Sequence, residues 1–500
     1  MRARCAPLFV PLSALGLSVS AAHANEPRLA TEPPVLREPT EVTQVVDAFD
    51  DDDPFDVHLS LGFESSHRSA RIRRESSLSQ PGSGAGYVLS NLTVGTYEET
   101  TSRLTTRADI GLYRDFALVV RLPIVLANDR AIESRDGSAG RAATVLAGLP
   151  GEQLFRLPFE APTRSGLEYL AIGLDAALMN QTRDPVKPTW VVGVEGRFDL
   201  GEPLHACSAS TEPLNVTTSG ARRCAHPADV DRDGVAAETA LEGRFSGNRS
   251  PGVSRGVTGL EVHTYASRRI KHIEPYVGAR ALFEFPTGDS DYAFADWEGS
   301  PENGPPFRAT VLAGLTVIPW EVRERFQRVS FDLRLTGTYV SQGRDYSELY
   351  DALGSSDAPS LRHPSFTRYR ANPDSQSAAA VPSVIDPEAR RAYFTGLTNV
   401  EQHGAVGVRT AFTWQAGEYV KFHLGGGLTW VQGHLITVDQ PCDLDADATP
   451  STAGPCRSAS GEPLGLPNPN YRRVIDDPGH RFRVDDALEL DFWLNATVMF

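Results

Sequence analysis

The sequence predicts an all-β fold, a transmembrane up-and-down antiparallel β-barrel of about 12 strands with short periplasmic turns and long extracellular loops. Three observations carry this expectation. The segment Leu488–Phe500 keeps a two-residue period to the end of the chain. Leu488, Leu490, Phe492, Leu494, Ala496, Val498 and Phe500 share one face; Glu489, Asp491, Trp493, Asn495 and Thr497 share the other. A soluble domain rarely ends on a fully formed amphipathic strand, whereas in a closed barrel the last strand pairs with the first. Second, alternating segments recur along the chain, joined by connections that are short and long in turn. Third, no window beyond the N-terminal segment offers about 18 consecutive apolar residues, so a membrane crossing must be made by strands.

The elements follow in order. Arg2 and Arg4 precede the largely apolar run from Leu8 to Ala21, and Ala22-His23-Ala24 is a small-x-small cleavage site. Residues 1–24 are therefore predicted to be an export signal. Residues 25–54 carry Pro27, Pro33, Pro34 and Pro39 and end in the acid run Asp50 to Asp53; they predict a flexible periplasmic leader. The barrel takes residues 55–500. Strands are expected near 55–65, 102–113, 116–127, 166–179, 189–200, 257–268, 274–286, 307–318, 328–341, 404–414, 418–431 and 487–500. Every odd strand leads into a long connection and every even strand into a short one, which puts both chain ends on the periplasmic side.

The faces agree with lipid on one side. Phe116, Leu118, Val120, Leu122, Ile124 and Leu126 share a side, as do Trp190, Val192, Val194, Gly196, Phe198 and Leu200, and Val329, Phe331, Leu333, Leu335, Gly337 and Tyr339. None is charged. The opposite faces carry Arg121, then Glu195, Arg197 and Asp199, then Asp332 and Arg334. Trp190, Phe307, Trp414, Tyr419, Trp430 and Phe500 fall near strand ends, where interface aromatics belong. The formal charge of −16 excludes nucleic-acid binding, and removing the signal makes the chain more acidic still.

Four cysteines remain after processing. Cys207 with Cys224 and Cys442 with Cys456 form two close pairs in polar loops, and an exported chain meets an oxidising compartment. Two local disulfides are expected; no Cys-x-x-Cys supports zinc.

The candidate chemistry sits on the inward faces. The acids are Asp56, Glu64, Asp109, Asp175, Glu195, Asp199, Glu261, Glu284, Asp332, Glu489 and Asp491. The bases are Arg107, Arg121, Arg197, Arg280, Arg308, Arg334, Arg409 and Lys421. Arg107, Arg121, Glu195, Arg197, Glu261, Arg280, Glu284, Asp332, Arg334 and Arg409 are the constriction candidates. Their near-balance of sign favours a network of pairs, with Arg280 and Glu284 set to face Glu261 and His263 across strands. His58, His263 and His423 also point inward, and Ser60 lies two residues from His58 on the same face. No enzymatic activity and no cofactor is expected. Asp229, Asp231 and Asp233, followed by Gly234, have the alternation of a calcium loop, yet Ala240 stands where the twelfth-position Glu would be. Asp443, Asp445 and Asp447 repeat the spacing without the glycine; a solvated acidic loop is the alternative for both.

The terminal strand resembles the C-terminal signature of Gram-negative outer-membrane β-barrels, whose final aromatic is read by the barrel-assembly machinery. The resemblance covers residues 55–500. It implies an outer-membrane location, membrane lipid and the assembly machinery as partners, and Phe500 as the assembly signal. The turn Tyr113-Arg114-Asp115-Phe116, the strand end Leu122-Pro123 and the run Phe285-Pro286-Thr287-Gly288-Asp289 look like those of a family of outer-membrane channels linked to aromatic-compound catabolism. The long acidic loops with cysteine pairs depart from that family, and no catalytic residue carries over. The expectation is a monomeric, porin-like barrel passing small solutes; a surface protein that binds or adheres through its loops is the alternative.

Overall fold

The computed structural model describes residues 41–48, 56–79, 87–134, 145, 152–210, 224–226, 247–295, 298–356, 358–362, 369–370, 384–385 and 394–500. Twelve strands make one wall: β1 (Val57–Ser79), β2 (Tyr87–Tyr113), β3 (Phe116–Glu133), β4 (Leu170–Met179), β5 (Thr189–Phe198), β6 (Val257–Ser267), β7 (Ile273–Pro286), β8 (Arg308–Val322), β9 (Gln327–Val340), β10 (His403–Gln415), β11 (Val420–Val431) and β12 (Phe482–Met499). Each pairs antiparallel with the next, and β12 pairs back on β1 from His58↔Met499 to Arg74↔Phe482. The last residue belongs to the closing ladder. The Val57 amide donates to the Phe500 carbonyl at 3.0 Å, and the Phe500 amide donates back at 2.9 Å. Closure leaves no open edge, the condition for strands to cross lipid.

β1 and β2 run 23 and 27 residues, well past the predicted 55–65 and 102–113. About 9–11 residues suffice to cross a bilayer. The excess stands above the membrane as a wall, joined by the upper ends of β3 and β12. There the outer face meets water, so the apolar signal used to find strands is absent. Arg71 pairs with Asp486 at 2.6 Å and Arg73 with Asp485 at 3.3 Å, while Ala70 and Ile72 turn inward and are buried.

Against the inner side of this wall the long loops build a cap with its own hydrophobic core. Ile72, Val94, Ile132, Leu154, Phe155, Leu349, Leu353, Leu361, Ile475 and Phe482 belong to one buried cluster. Each large apolar side chain so buried contributes about 1.5–3 kcal/mol, enough to hold loop segments that have little regular structure. Both disulfides form within their loops, Cys207–Cys224 and Cys442–Cys456, as the spacing predicts.

The leader expectation needs correction for residues 41–48. They cross the periplasmic mouth inside the barrel, from β11 to the β2–β3 turn. The Ala48 amide donates to the Arg114 carbonyl at 3.2 Å, and the Arg114 amide donates to the Ala48 carbonyl at 2.7 Å. Gly111 permits this approach, because a Cβ there would collide with the Asp47 carbonyl. Asp229, Asp231 and Asp233 lie outside the described residues. Among the described residues no group of three His, Cys, Asp or Glu is placed to hold a metal ion.

Candidate functional site: the barrel lumen

The two faces of each strand meet different solvents. Leu333, Phe331, Val311 and Val277 point outward and are 49%, 50%, 62% and 58% exposed, far more than a water-soluble wall would leave bare. Their neighbours on the same faces carry no charge. Trp190, Trp414, Tyr419, Trp430 and Phe500 stand exposed near the strand ends. This belt makes a direct expectation. Replacing Leu333 by Arg places an unpaired charge near the bilayer middle, costing about 2–4 kcal/mol. Replacing Arg334 by Leu changes only the lumen, since Asp332 keeps the Tyr276 and Thr316 hydroxyls as donors at 2.7 and 2.9 Å. Folding into lipid vesicles is expected to fail or slow for Leu333→Arg and to proceed for Arg334→Leu; the reverse result would mean that the faces are inverted.

Inside, a cavity of about 570 Å³ occupies the middle of the barrel. Its lining includes Arg107, Arg121, Glu195, Glu261, Arg280, Asp332, Arg334 and Arg409 among the predicted constriction residues, with Glu64, Asp109, Asp175, Lys421, Glu489 and Asp491. Most of the charges are joined in short chains. Arg121 donates to Glu195 at 2.5 Å; Arg197 bridges Glu195, at 2.9 Å, and Glu261. Arg107 pairs with Asp109 at 2.8 Å and Arg409 with Asp491 at 3.1 Å. Arg334 donates to the Tyr276 hydroxyl at 3.0 Å. The Tyr276 ring lies over Gly314, where a side chain would strike it.

Two predicted contacts are not made. Arg280 stands in register with His263 but forms no ion pair with Glu261, which Arg197 has taken from the other side. Glu284 faces the cap, with Arg255 at 3.2 Å and Arg308 at 3.5 Å. Asp199 likewise sits at the rim and accepts from Ser254 and, at 3.4 Å, Thr287. Two of the inward histidines are committed elsewhere, and Ser60 does not pair with His58. Ser60 bonds Thr497 at 2.8 Å; His263 holds Asp175 at 3.0 Å; His423 bonds Thr413 at 2.9 Å.

Both ends of the cavity are obstructed. On the periplasmic side the 41–48 strap is tied across the opening. Glu41 meets His423 at 3.1 Å, Thr43 bonds Ser267 at 2.8 Å, Lys421 donates to Gln44 at 3.0 Å and Asp47 meets Arg183 at 3.4 Å. On the outer side, the run Asp345-Tyr346-Ser347-Glu348-Leu349-Tyr350-Asp351 spans the mouth, and each of its acids is latched to a different part of the wall. Asp345 takes Arg255 at 2.8 Å and Arg308 of β8 at 3.0 Å. Glu348 takes Arg68 of β1. Asp351 takes Arg164 at 2.5 Å and Arg130 of β3 at 3.5 Å. Sequence reasoning missed this lid; the three-residue spacing of its acids was visible, but their partners lie far off in the chain. Burial alone would raise the Asp345 carboxyl, yet Arg255 and then Arg308 hold it below the usual carboxylate range. A depressed carboxylate stabilises above its unfolded pKa, about 3.9, and loses that contribution as pH falls through the lower folded value, so this latch persists in mild acid.

A closed wall, a charge-free outward belt and a charged interior fit strands that cross a membrane. It is a transmembrane β-barrel. No protein-family model matches the sequence, and no curated protein does. Solved structures of similar outline include an outer-membrane channel from Pseudomonas putida F1, 8% identical, with a TM-score of 0.33, covering 93% of this chain and 99% of that one. A FadL homologue of Pseudomonas aeruginosa is 9% identical, with a TM-score of 0.30 and 93% of each chain covered. The Escherichia coli outer-membrane protease OmpT is 7% identical, with a TM-score of 0.25, covering 92% of this chain and all of that one. Likenesses this slight assign neither substrate nor chemistry, and these relatives do not share one activity.

Proposed function

We propose that this barrel is a channel for small polar and charged solutes, closed at rest by the strap below and the latched lid above, and acting as a monomer with no reaction of its own. The cavity of about 570 Å³, lined by charged side chains through the membrane level, is the observation that carries this reading. A barrel serving only as an anchor has no need of a hydrated interior; paired charges cost desolvation that apolar packing would avoid. Apolar solutes would meet guanidinium and carboxylate groups along the described lumen, so water-soluble ones are the better match. The surface-adhesion alternative draws less support, because the described cap segments fold inward on a shared core.

The purified full-length chain in a planar lipid bilayer tests the reading. Small, reproducible conductance steps are expected. Silence from both the full chain and a chain lacking residues 41–48, with each correctly inserted, would overturn it.

A further inference from the structure

We propose that the lumen face of β6–β9 carries an oxyanion subsite in which Arg280 supplies the charge and His263, Thr310 and Thr338 flank it; this deepens the channel reading by naming a solute class. The four residues stand side by side in the ladder. His263 is in register with Arg280, Arg280 with Thr310, and Thr310 with Thr338. All four line the central cavity.

Arg280 differs from the other cations there. Arg107, Arg121, Arg334 and Arg409 each hold a carboxylate or a phenol, and Lys421 holds Gln44. Among the described residues Arg280 has no hydrogen bond, ion pair or ring contact, and its side chain is exposed to the cavity. Glu261 is paired with Arg197, and Asp175 with His263. The lining carries nine carboxylates against six Arg and Lys, and the other five of those bases are engaged, so among the described residues Arg280 is the lining cation left to meet an anion directly. Its planar fork matches the two oxygens of a carboxylate or phosphate.

The flanking groups add to the same end. Thr310 and Thr338 hydroxyls lie 3.0 Å apart. One donates to the other, which leaves one O–H free to turn toward a ligand. His263 is fixed through Nε2 by Asp175 at 3.0 Å and its Nδ1 is buried, so it shapes the wall beside Arg280 and leaves the donating to the guanidinium and the threonine hydroxyl. One step along β7 on the same face, the Tyr265 ring lies over Gly278 and stacks on His263 at 5.1 Å. That ring offers an apolar plane for the carbon body of a small organic carboxylate. The shared chemistry is an oxyanion; acetate and inorganic phosphate separate the organic from the inorganic source.

Two measurements on the full-length chain test this. Arg280→Gln removes the charge without stranding a partner, so its heat-modifiable migration is expected to match wild type. In a bilayer under an acetate or phosphate gradient, the ratio of anion to potassium permeability is expected to fall several-fold in Arg280→Gln and to be largely kept in Arg280→Lys. In detergent, calorimetric titration with acetate and with phosphate is expected to show saturable binding that Arg280→Gln loses. Loss of the acetate response alone marks a carboxylate site; loss of both marks a general oxyanion site. A chain that conducts with the same ratio in wild type and Arg280→Gln, or that binds neither probe through Arg280, overturns the subsite. If neither the full chain nor a chain lacking residues 41–48 conducts, yet the full chain binds through Arg280, the channel reading falls and the subsite stands.

Discussion

Deleting residues 41–48 is expected to raise the single-channel conductance several-fold while leaving the yield of folded barrel unchanged. The strap contributes nothing to the wall ladders: β12 closes on β1 without it, and its bonds run to side chains and one turn. Its removal frees the periplasmic mouth between His423, Ser267 and Arg114. The loss in stability is expected to be modest: Glu41 is nearly half exposed, so its pair with His423 is worth about 0.2–1 kcal/mol, and the buried side chains of Thr43, Val46 and Ala48 add the rest. Gly111→Val gives an independent route to the same state. Its side chain would occupy the place of the Asp47 carbonyl and push the strap away from the wall. If both variants insert normally and conduct no better than the full chain, the strap is not the barrier, and the obstruction lies with the lid.

What the sequence made legible follows from where lipid imposes a rule. All twelve strands were visible because a charge facing the bilayer middle is costly, and that penalty writes a two-residue period into each membrane-crossing segment. Phe500 was legible for the same reason: its ladder partner, Val57, begins the wall. Above the membrane the rule lapses. Residues 66–79 carry Arg68, Arg71, Arg73 and Arg74, and nothing in that run marks it as strand until β2 and β12 are laid beside it. The strap failed to show for a related reason. Glu41-Val42-Thr43-Gln44-Val45-Val46-Asp47-Ala48 is too short to display a period, and its place is set by a lumen assembled from strands hundreds of residues away.

The lumen was half legible. Which residues face inward came from the period; which inward residues pair did not. Arg280 illustrates the gap. Cross-strand reasoning offered it Glu261, but Glu261 lies between two strands and the β5 side supplies Arg197 first. Pairing around a closed wall is a competition among neighbours on both sides, and a linear sequence shows only one side at a time.

The largest effect on the cap is expected at Asp351. This carboxylate receives Arg164 at 2.5 Å, Arg130 at 3.5 Å and the Cys207 amide at 3.0 Å. The Arg164 side chain is fully buried, and its remaining bonds go to the carbonyls of Pro251 and His205 at 3.3 and 3.0 Å. Asp351→Ala therefore leaves a buried guanidinium without a counter-charge, at a cost of about 3–5 kcal/mol to the cap. Of these groups the wall itself holds Arg130, which keeps Glu99 at 3.0 Å, while Arg164 borders it through backbone pairing with Asn128 of β3. The expected result is a folded barrel whose lid exchanges amide hydrogens and is cut by protease faster than wild type near residues 343–362, with higher conductance as the mouth opens. Arg164→Met combined with Asp351→Leu removes both charges and keeps the volume, so it is expected to restore most of the protection, as apolar replacements of buried pairs often do. If the single variant shows wild-type exchange across the lid, the Asp351 latch does not hold the mouth closed; if the double variant is as loose as the single one, the loss comes from the Cys207 amide and not from the stranded charge.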